Sequence, residues 1–245
     1  MSKTAIIIPA RYGSSRLEGK PLIEVQGKPI IQWVYEKAEM SKLADIIIVA
    51  TDDSRIFDAV KAFGGNVEMT SANHKCGSDR IREVAERHPE ISYIVNLQGD
   101  EPLITPESID EVIRNVKDDI AADISTLIRP LTDENEINNP NLVKCVRDLN
   151  GFALYFSRSK IPYERNIGIA EFWGHLGIYG YKRDALFKMT SLPQSPLEKT
   201  ESLEQLRALE NGMKIKTSVV NFVPVGIDTK EDLEKFKEIV SSKLS

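Results

Sequence analysis

Residues 9–21, PARYGSSRLEGKP, gather the residue types that bind anions directly behind the apolar run of residues 5–8. Guanidinium groups donate in pairs to phosphate oxygens, a lysine adds a point charge, and serine hydroxyls add further donors. The candidates are Arg11, Ser14, Ser15, Arg16 and Lys20, with Gly13 and Gly19 letting the backbone approach a ligand closely. The spacing is neither GxxxxGK(S/T) nor GxGxxG, which argues against the usual ATPase loop and the dinucleotide fingerprint. Phosphate binding is the favoured interpretation, and a solvated basic turn is the alternative.

An α/β sheet is expected to position this loop, because short apolar runs alternate with amphipathic segments along the first half of the chain. A strand that is apolar throughout is typical of a parallel sheet covered by helices. The predicted strands are Ala5–Ile8, Asp45–Ala50, Val67–Met69 and Tyr93–Leu97, and the predicted helices are a segment with Pro29 in its first turn, Ser54–Phe63, Asp79–Arg87 and Pro106–Val116. The alternation predicts a doubly wound, mostly parallel sheet, in which ligands bind at the carboxyl ends of the strands.

The alternation ends after about Ile124. VKCVRDLNGFALYFSR, residues 143–158, reads as two strands around a turn at residues 148–151. The remaining predictions are a strand over HLGIYGY, one helix over residues 195–212 capped by Ser195, a strand at Lys214–Val220 and a helix from Thr229. We therefore predict a single domain over residues 1–245, with a smaller hairpin-containing insertion at about residues 125–190.

The charge of the chain argues against a broad nucleic-acid or acidic-membrane surface. The formal net charge is -5, with acids and bases interspersed, whereas such binders show a net basic face. Cys76 and Cys145 lack the spacing of a metal site, so we expect two free thiols in a reducing compartment. The apolar run of residues 5–8 is too short for a signal peptide or a membrane span. A cytoplasmic location is the expectation.

Six blocks of sequence resemble the sugar nucleotidyltransferase family, and within it the cytidylyltransferases that activate 3-deoxy-manno-octulosonate (Kdo). The blocks are PARYGSSRLEGKPL, NLQGDEP (Asn96–Pro102), ALYFSR (Ala153–Arg158), HLGIYGY (His175–Tyr181), LEQLRALENG (Leu203–Gly212) and GIDTKEDL (Gly226–Leu233). They follow the family's order from about residue 4 to residue 240, and their combination makes the resemblance specific. It implies a Rossmann-like nucleotidyltransferase fold, CTP and Kdo as substrates, Mg²⁺ as cofactor, and a homodimer with the insertion as the expected interface.

The implied reaction is attack by the anomeric hydroxyl of Kdo on the α-phosphate of CTP, giving CMP-Kdo and pyrophosphate for lipopolysaccharide biosynthesis. Such chemistry leaves the protein to position the substrates and neutralise charge. Arg11, Arg16 and Lys20 are the candidates for the triphosphate. Asp100 and Asp228 match the family's magnesium ligands, and carboxylate oxygens suit this ion. Lys20, Arg16, Asp100 and Asp228 are therefore the predicted catalytic set. A turn former at Asp100 and a helix cap at Asp228 are the structural alternatives.

The segment HKCGSDR, residues 74–80, falls where the family places its cytosine-reading loop. The implied contacts to the base are Gly77, Ser78 and Arg80, with the backbone of Pro9 and Ala10. A helix start with Ser78 as its cap is the structural interpretation, which is compatible with base binding. The segment departs from the family at Cys76, where a small polar residue is usual, and at Gly77-Ser78-Asp79-Arg80, where Gly-Thr-Glu-Arg is common.

The resemblance also implies a sugar site formed by Gln98, Arg158, His175, Glu204 and Gln205. Arg158 is expected to pair with the sugar carboxylate, and the glutamine and glutamate side chains with its hydroxyls. The structural alternatives are a satisfied core histidine and a solvated helix face. Tyr179 and Tyr181 are expected in the core. Glu18 stands where the family commonly has proline, and we expect its side chain to point to solvent.

The same sequence blocks distinguish this function from three alternatives. A cytidylyltransferase for 8-amino-Kdo or a sialic-acid-like sugar shares the first block, whereas HLGIYGY and ALYFSR favour the Kdo type. A metal-dependent glycosyltransferase would carry Asp-x-Asp where this chain has Gly99-Asp100-Glu101. A non-catalytic nucleotide-binding regulator would lack the carboxylates that Asp100 and Asp228 supply.

Overall fold

The structure is a computed structural model, and it describes residues 2–13, 17–221, 223 and 226–244. The helices are α1 (Ile30–Glu39), α2 (Ser54–Ala62), α3 (Gly77–Arg87), α4 (Pro106–Asp118), α5 (Glu134–Asn138), α6 (Arg183–Ser191), α7 (Pro196–Glu201), α8 (Gln205–Glu210) and α9 (Lys230–Leu244), with a short 3-10 helix at Lys20–Leu22. The strands are β1 (Lys3–Ala10), β2 (Glu24–Val25), β3 (Lys28–Pro29), β4 (Ile46–Thr51), β5 (Val67–Met69), β6 (Ile91–Asn96), β7 (Ile124–Leu131), β8 (Lys144–Arg147), β9 (Ala153–Ser157), β10 (Phe172–Lys182) and β11 (Ile215–Val219). Among these described residues, no helix has the length and apolar character needed to cross a membrane.

The chain divides into two compact units, residues 1–110 with 224–245 and residues 111–223. In the first unit, β1 lies between β4 and β6 and pairs in parallel with both, and β5 pairs in parallel with β4. Residues 5–8 of β1 are fully buried, because α1, α2 and α3 pack against these strands. The predicted mostly parallel α/β sheet is confirmed, whereas the predicted single domain stays a prediction.

In the second unit, β10 pairs antiparallel with both β7 and β8, and β11 pairs in parallel with β7. β8 and β9 form the predicted antiparallel hairpin. Strand β7 was not predicted, because Arg129 interrupts its apolar pattern. In the fold Arg129 is buried, and its guanidinium pairs with Glu136 at 2.5 Å. The ion pair reduces the cost of placing this charge inside the unit.

Helix α3 begins at Gly77 rather than Asp79, and its N-cap residue is Cys76. The expectation that Ser78 caps this helix is therefore wrong: Ser78 lies inside the first turn and is buried. Pro29 is likewise the N-cap residue of α1 and not part of its first turn. Cys76 and Cys145 are free thiols, as predicted.

The single helix predicted over residues 195–212 is two helices, because Ser202 adopts a left-handed conformation (φ 53°) between α7 and α8. The predicted start is correct, since Glu198 accepts a hydrogen bond from the Ser195 N–H at 3.1 Å. The end of α7 is held by Arg158, whose Nε donates to the Glu201 carbonyl at 2.8 Å. A helix end leaves such carbonyls without partners, and here a side chain distant in sequence binds one of them.

Candidate active site

A cavity of the first unit lies where β1 and β6 end and α3 begins. Its lining includes Pro9, Ala10, Arg11, Gly77, Arg80 and Gln98. All six were predicted as site residues, and the parallel strands bring them together, since the carboxyl ends of neighbouring strands meet at one edge of a sheet. Gln98, predicted for the sugar, shares this cavity with the residues predicted for the base. Ser78, in contrast, is buried within α3 and is not among the lining residues.

Arg80 is the buried cation of this cavity. Its guanidinium donates to Thr70 Oγ1 at 2.5 Å and to Asp52 Oδ2 at 2.9 Å. A buried charge needs partners of this kind, and the two bonds fix the plane of the guanidinium. Arg80 therefore offers its remaining N–H groups in a set orientation.

His74 and Cys76 also line the cavity, and neither was predicted as a site residue. The sequence did signal them, because both belong to the segment HKCGSDR. The prediction included only the residues at the start of α3. His74 and Cys76, which precede this helix, also line the cavity, because they lie at the same edge of the sheet.

Part of the predicted phosphate loop, Ser14, Ser15 and Arg16, lies outside the described residues. Where the loop is described, Gly19 has a left-handed backbone (φ 66°), and a Cβ there would lie 3.0 Å from the ring of Tyr12. Arg55 stacks on the same ring at 3.3 Å from its centroid. Glu18 is exposed, which confirms the expectation that its side chain points to solvent.

Lys20 brings the two predicted metal ligands together. Its ammonium lies 2.5 Å from Asp100 Oδ2 and 3.2 Å from Asp228 Oδ1, although 128 residues separate the two acids in the sequence. The backbone fixes their proximity, since the N–H of Ile227 donates to the carbonyl of Asp100 at 2.9 Å. Two carboxylates thus contact one ammonium group within the first unit.

Asp228 is not the cap of α9. Thr229 and Asp232 form that cap: the Thr229 N–H donates to Asp232 Oδ2 at 2.9 Å, and the Asp232 N–H donates to Thr229 Oγ1 at 3.2 Å. These reciprocal bonds are a capping box. They leave the side chain of Asp228 for Lys20, so the capping alternative does not account for this residue.

Glu101 is a further acid at this point, and it was not predicted. Its Oε2 is buried without a hydrogen-bond partner in the described structure. Burial, with the nearby charges of Asp100 and Asp228, raises the pKa of Glu101 to about 7, against the opposing charge of Lys20. The adjacent letters DE in the loop after β6 were the available signal, but a sequence does not show which of two neighbouring acids turns inward.

Asp100 and Asp228 fit Mg²⁺ only if substrate phosphates and water supply its remaining ligands. Among the described residues, no group of three or more His, Cys, Asp or Glu side chains is arranged to hold a metal ion. Mg²⁺ does not need such a group, because it commonly binds one or two carboxylates together with substrate phosphates and water. Asp100 and Asp228, held at one cation by the fold, meet that requirement.

The other predicted sugar residues lie in the second unit. Arg158 is docked on the backbone: besides Glu201, its guanidinium reaches the carbonyl of Pro140 at 3.1 Å. The carboxylate of Glu201 in turn accepts from Arg158 N–H at 3.0 Å and from Ser157 Oγ at 2.6 Å. This double attachment holds Arg158 in one orientation.

His175 is a neutral residue. Its Nε2 lies 2.9 Å from Thr126 Oγ1, its ring packs edge-on against Phe156, and burial lowers its pKa to about 3. Tyr179 lies 5.3 Å from the same ring, centroid to centroid. Burial raises the pKa of Tyr179 well above its usual value. Tyr181 is buried, as expected of a core tyrosine, whereas Tyr179 and His175 keep partial solvent exposure.

Glu204 and Gln205 begin α8. Glu204 is the N-cap residue and is partly exposed, with one carboxylate oxygen 3.8 Å from Arg207. Gln205 is buried, so the alternative of a solvated helix face does not describe it. The break at Ser202 sets where this short helix starts, and hence where both side chains lie in the unit.

Comparison with known proteins decides the family. The family model described as Cytidylyltransferase matches residues 5–215. This chain belongs to the cytidylyltransferase family. The relatives include proteins named 3-deoxy-manno-octulosonate cytidylyltransferase from Fusobacterium nucleatum, 51% identical over 94% of this chain and 93% of the relative, and from Escherichia coli, 45% identical over 100% and 99%.

Two solved structures resemble the structure of this chain. CMP:2-keto-3-deoxy-manno-octonic acid synthetase complexed with CTP has a TM-score of 0.95 and 44% identity, covering 99% of this chain and 100% of the other. A cytidylyltransferase from Leptospira borgpetersenii, with a TM-score of 0.68 and 22% identity over 99% and 88%, shares the fold. The predicted Rossmann-like nucleotidyltransferase fold and the predicted family are both confirmed.

Proposed function

We propose that this cytidylyltransferase transfers CMP from CTP to the anomeric hydroxyl of Kdo and releases pyrophosphate. The observation that carries the proposal is similarity over nearly the whole chain to proteins that bear this name, with 44% identity to a synthetase solved with CTP. The names of these relatives do not favour the alternatives, 8-amino-Kdo, a sialic-acid-like sugar or a non-catalytic regulator.

In the proposed reaction the anomeric oxygen bonds to the α-phosphorus, the bond from that phosphorus to pyrophosphate breaks, and the hydroxyl proton is lost. The chain's part is to neutralise the charge of the triphosphate and to orient the two substrates. Lys20 is held beside Asp100 and Asp228, and its ammonium would bind the triphosphate. Arg11 lines the cavity, and Arg16 remains a candidate from the sequence. Positioned cations of this kind supply most of the catalysis in phosphoryl transfer.

We propose Mg²⁺ as the cofactor, with Asp100 and Asp228 as the residues that would hold it. When bound, the ion would neutralise phosphate charge and lower the pKa of the attacking hydroxyl. Lys20 prepares these ligands, because its ammonium offsets the repulsion between two carboxylates in the free protein. The support for the proposal is the pair of distances to that ammonium, 2.5 and 3.2 Å.

We propose Gln98, Arg158, His175, Glu204 and Gln205 as sugar-binding residues. Arg158 suits the sugar carboxylate because its guanidinium is already oriented by backbone carbonyls. His175 is neutral at physiological pH, since burial lowers its pKa to about 3. It would therefore interact with a hydroxyl rather than with the carboxylate charge.

The biological setting is part of the proposal. CMP-Kdo would serve lipopolysaccharide biosynthesis, and because CTP is a cytoplasmic nucleotide, we propose a cytoplasmic enzyme. We also propose a homodimer, with the hairpin β8–β9 and its surroundings as the interface. Exposed apolar side chains on and beside this hairpin support the location: Leu149 and Leu154 are both exposed. A monomeric mass by sedimentation would contradict the dimer.

A pyrophosphate-release assay tests the function. The protein is incubated with Mg²⁺, each of the four nucleoside triphosphates, and Kdo, 8-amino-Kdo or sialic acid. Release is expected from CTP with Kdo at a higher kcat/KM than with any other pair. No release from CTP with any of the three sugars would overturn the proposal. The metal ligands are tested separately: Asp100→Ala should lose about 10²–10³ in rate, and near-native turnover at limiting Mg²⁺ would contradict the assignment.

A further inference from the structure

His74 is a polar residue of the first-unit cavity to which the proposed function gives no role. It also lines a neighbouring cavity with Glu83 and other residues of α3, so its imidazole lies between the two spaces. A neutral imidazole donates from one nitrogen and accepts at the other. Which nitrogen carries the proton therefore decides what His74 offers to a ligand.

Glu83 fixes that choice. Nε2 of His74 lies within hydrogen-bond distance of Glu83 Oε2, which also accepts from the Ser71 N–H at 2.9 Å. Although burial opposes ionisation, the bonds from Ser71 and His74 and the charge of Arg87 hold the pKa of Glu83 below its usual value. An ionised carboxylate only accepts hydrogen bonds, so Nε2 carries a proton, and Nδ1 is the ring nitrogen left for a ligand.

Arg80 supplies hydrogen-bond donors to the same cavity. A guanidinium only donates, and this one is fixed by Thr70 and Asp52. The cavity thus combines a fixed set of donors at Arg80 with a ring nitrogen of His74 that Glu83 does not use. A ligand that uses both must present acceptors to Arg80, and a donor to His74 where Nδ1 accepts.

Cytosine has this pattern on its pairing edge, with acceptors at O2 and N3 and a donor at the exocyclic amino group. Uracil has an N–H at N3 and a carbonyl at C4. We propose that His74, oriented by Glu83, accepts at Nδ1 a hydrogen bond from the amino group of cytosine and so selects CTP against UTP. With UTP a carbonyl oxygen would face the lone pair of Nδ1, and sites built around a hydrogen bond reject ligands that cannot make it. The inference rests on the proposed function in taking CTP as the nucleotide.

A cycle that pairs a protein change with a ligand change isolates this contact. Binding of CTP and of 2-pyrimidinone ribonucleoside triphosphate, which lacks only the amino group, is measured by calorimetry for the native protein and for His74→Phe. The native protein should bind CTP about tenfold more tightly, as one hydrogen bond predicts. In His74→Phe the two ligands should bind within about twofold of each other.

His88→Phe is the matched control, because His88 also pairs with a glutamate, Glu68, at the other end of α3. It should keep the native preference for CTP. If His74→Phe weakens both ligands equally and keeps the preference, His74 only supports the fold of the loop and the proposal is overturned. No sugar is present in this measurement, so a failure of Kdo transfer in the pyrophosphate assay leaves the test of His74 intact.

Nitrogen NMR of the native protein gives a second test that does not depend on the folding of a variant. The chain has three histidines, which simplifies assignment in a sample with ¹⁵N-labelled histidine rings. Nδ1 of His74 should carry no proton in the free protein, and its resonance should shift on addition of CTP but not of the 2-pyrimidinone analogue. A protonated Nδ1, or equal shifts with both ligands, would overturn the proposal.

Discussion

At the scale of single residues, the contact between Lys20 and the two aspartates has the clearest consequence. The ammonium lies where a divalent cation would meet the same carboxylates. In the free protein Lys20 therefore competes with Mg²⁺, and the carboxylates become good ligands only when a triphosphate draws the lysine and adds its own oxygens. The metal site is thus expected to be complete only with nucleotide.

Lys20→Met should separate the competition of Lys20 with Mg²⁺ from the contribution of Lys20 to catalysis. Removing the ammonium takes away the cation that competes for the two carboxylates. The variant should therefore bind Mg²⁺ without nucleotide at least about tenfold more tightly than the native protein, a change of about 1.4 kcal/mol. Pyrophosphate release should nevertheless fall. Calorimetric titration with MgCl₂ alone measures the affinity.

The matched control for this variant is Lys28→Met, because Lys28 pairs with Glu36 at 2.8 Å elsewhere in the first unit. It should bind Mg²⁺ as the native protein does. Equal affinities in Lys20→Met and the native protein would contradict the competition.

The residue types of the site were predictable, but their environments were not. Arg11, Lys20 and Asp100 follow strand ends, where the topology of a parallel sheet gathers ligand-binding groups. Glu101 and His74 have neighbours of equal chemical interest in the sequence, and only the fold shows that Glu101 Oε2 is buried without a partner and that His74 is tied to Glu83. These properties arise from contacts distant in sequence.

At the scale of elements, local signals sufficed where an element depends on its own residues. The continuous apolar run of β1 and the hairpin β8–β9 were read correctly for this reason. The division between α7 and α8 was not, since it depends on Ser202 in a left-handed conformation and on Arg158, which binds the Glu201 carbonyl from a distant strand end. A pattern of apolar positions cannot report that contact.

The position of Arg158 depends on a buried lysine in β8. Lys144 is fully buried, and its ammonium donates to the carbonyls of Asn139, Leu142 and Arg158 at 2.9, 2.7 and 2.6 Å. Burial, and then the charge of Arg158, lower its pKa against the opposing charge of Glu201. All three ammonium protons are thus used to join the backbone on either side of the hairpin.

Lys144→Met should be strongly destabilising. Methionine fills much of the same space, but it leaves three carbonyls without their donor, and each one that is shielded from water costs about 1–3 kcal/mol. We expect the free energy of unfolding to fall by roughly 3 kcal/mol or more, measured by urea denaturation. Lys199→Met, at an exposed position of α7, should stay within about 0.5 kcal/mol of the native value. Similar stabilities for the two variants would show that the Lys144 contacts are not needed.

At the scale of the whole molecule, the candidate residues divide between the two units. The predicted nucleotide and metal residues belong to residues 1–110 and 224–245, whereas Arg158, His175, Glu204 and Gln205 belong to residues 111–223. Sequence order alone did not indicate this division, since a single domain was predicted and the metal candidate Asp228 lies in the last block of the resemblance. It could not indicate the bounds, because α4 continues through residue 110 without a break.

The stability of the molecule should depend on pH through His175. Burial lowers its pKa to about 3 in the fold, whereas an unfolded chain has a histidine pKa of about 6.5. Between these values the unfolded state binds a proton that the native state does not. The free energy of unfolding must therefore fall as the pH falls through this range, by up to about 1.4 kcal/mol per pH unit.

Urea denaturation at pH 7 and pH 5 tests this contribution by comparing the native protein with His175→Phe. Phenylalanine keeps an aromatic ring beside Phe156 and Tyr179 but cannot bind a proton. The carboxylates titrate in both proteins, so their effect cancels in the difference. On lowering the pH, the native protein should lose about 1–2 kcal/mol more than the variant. Equal losses in the two proteins would mean that His175 binds its proton in the fold as readily as in the unfolded chain.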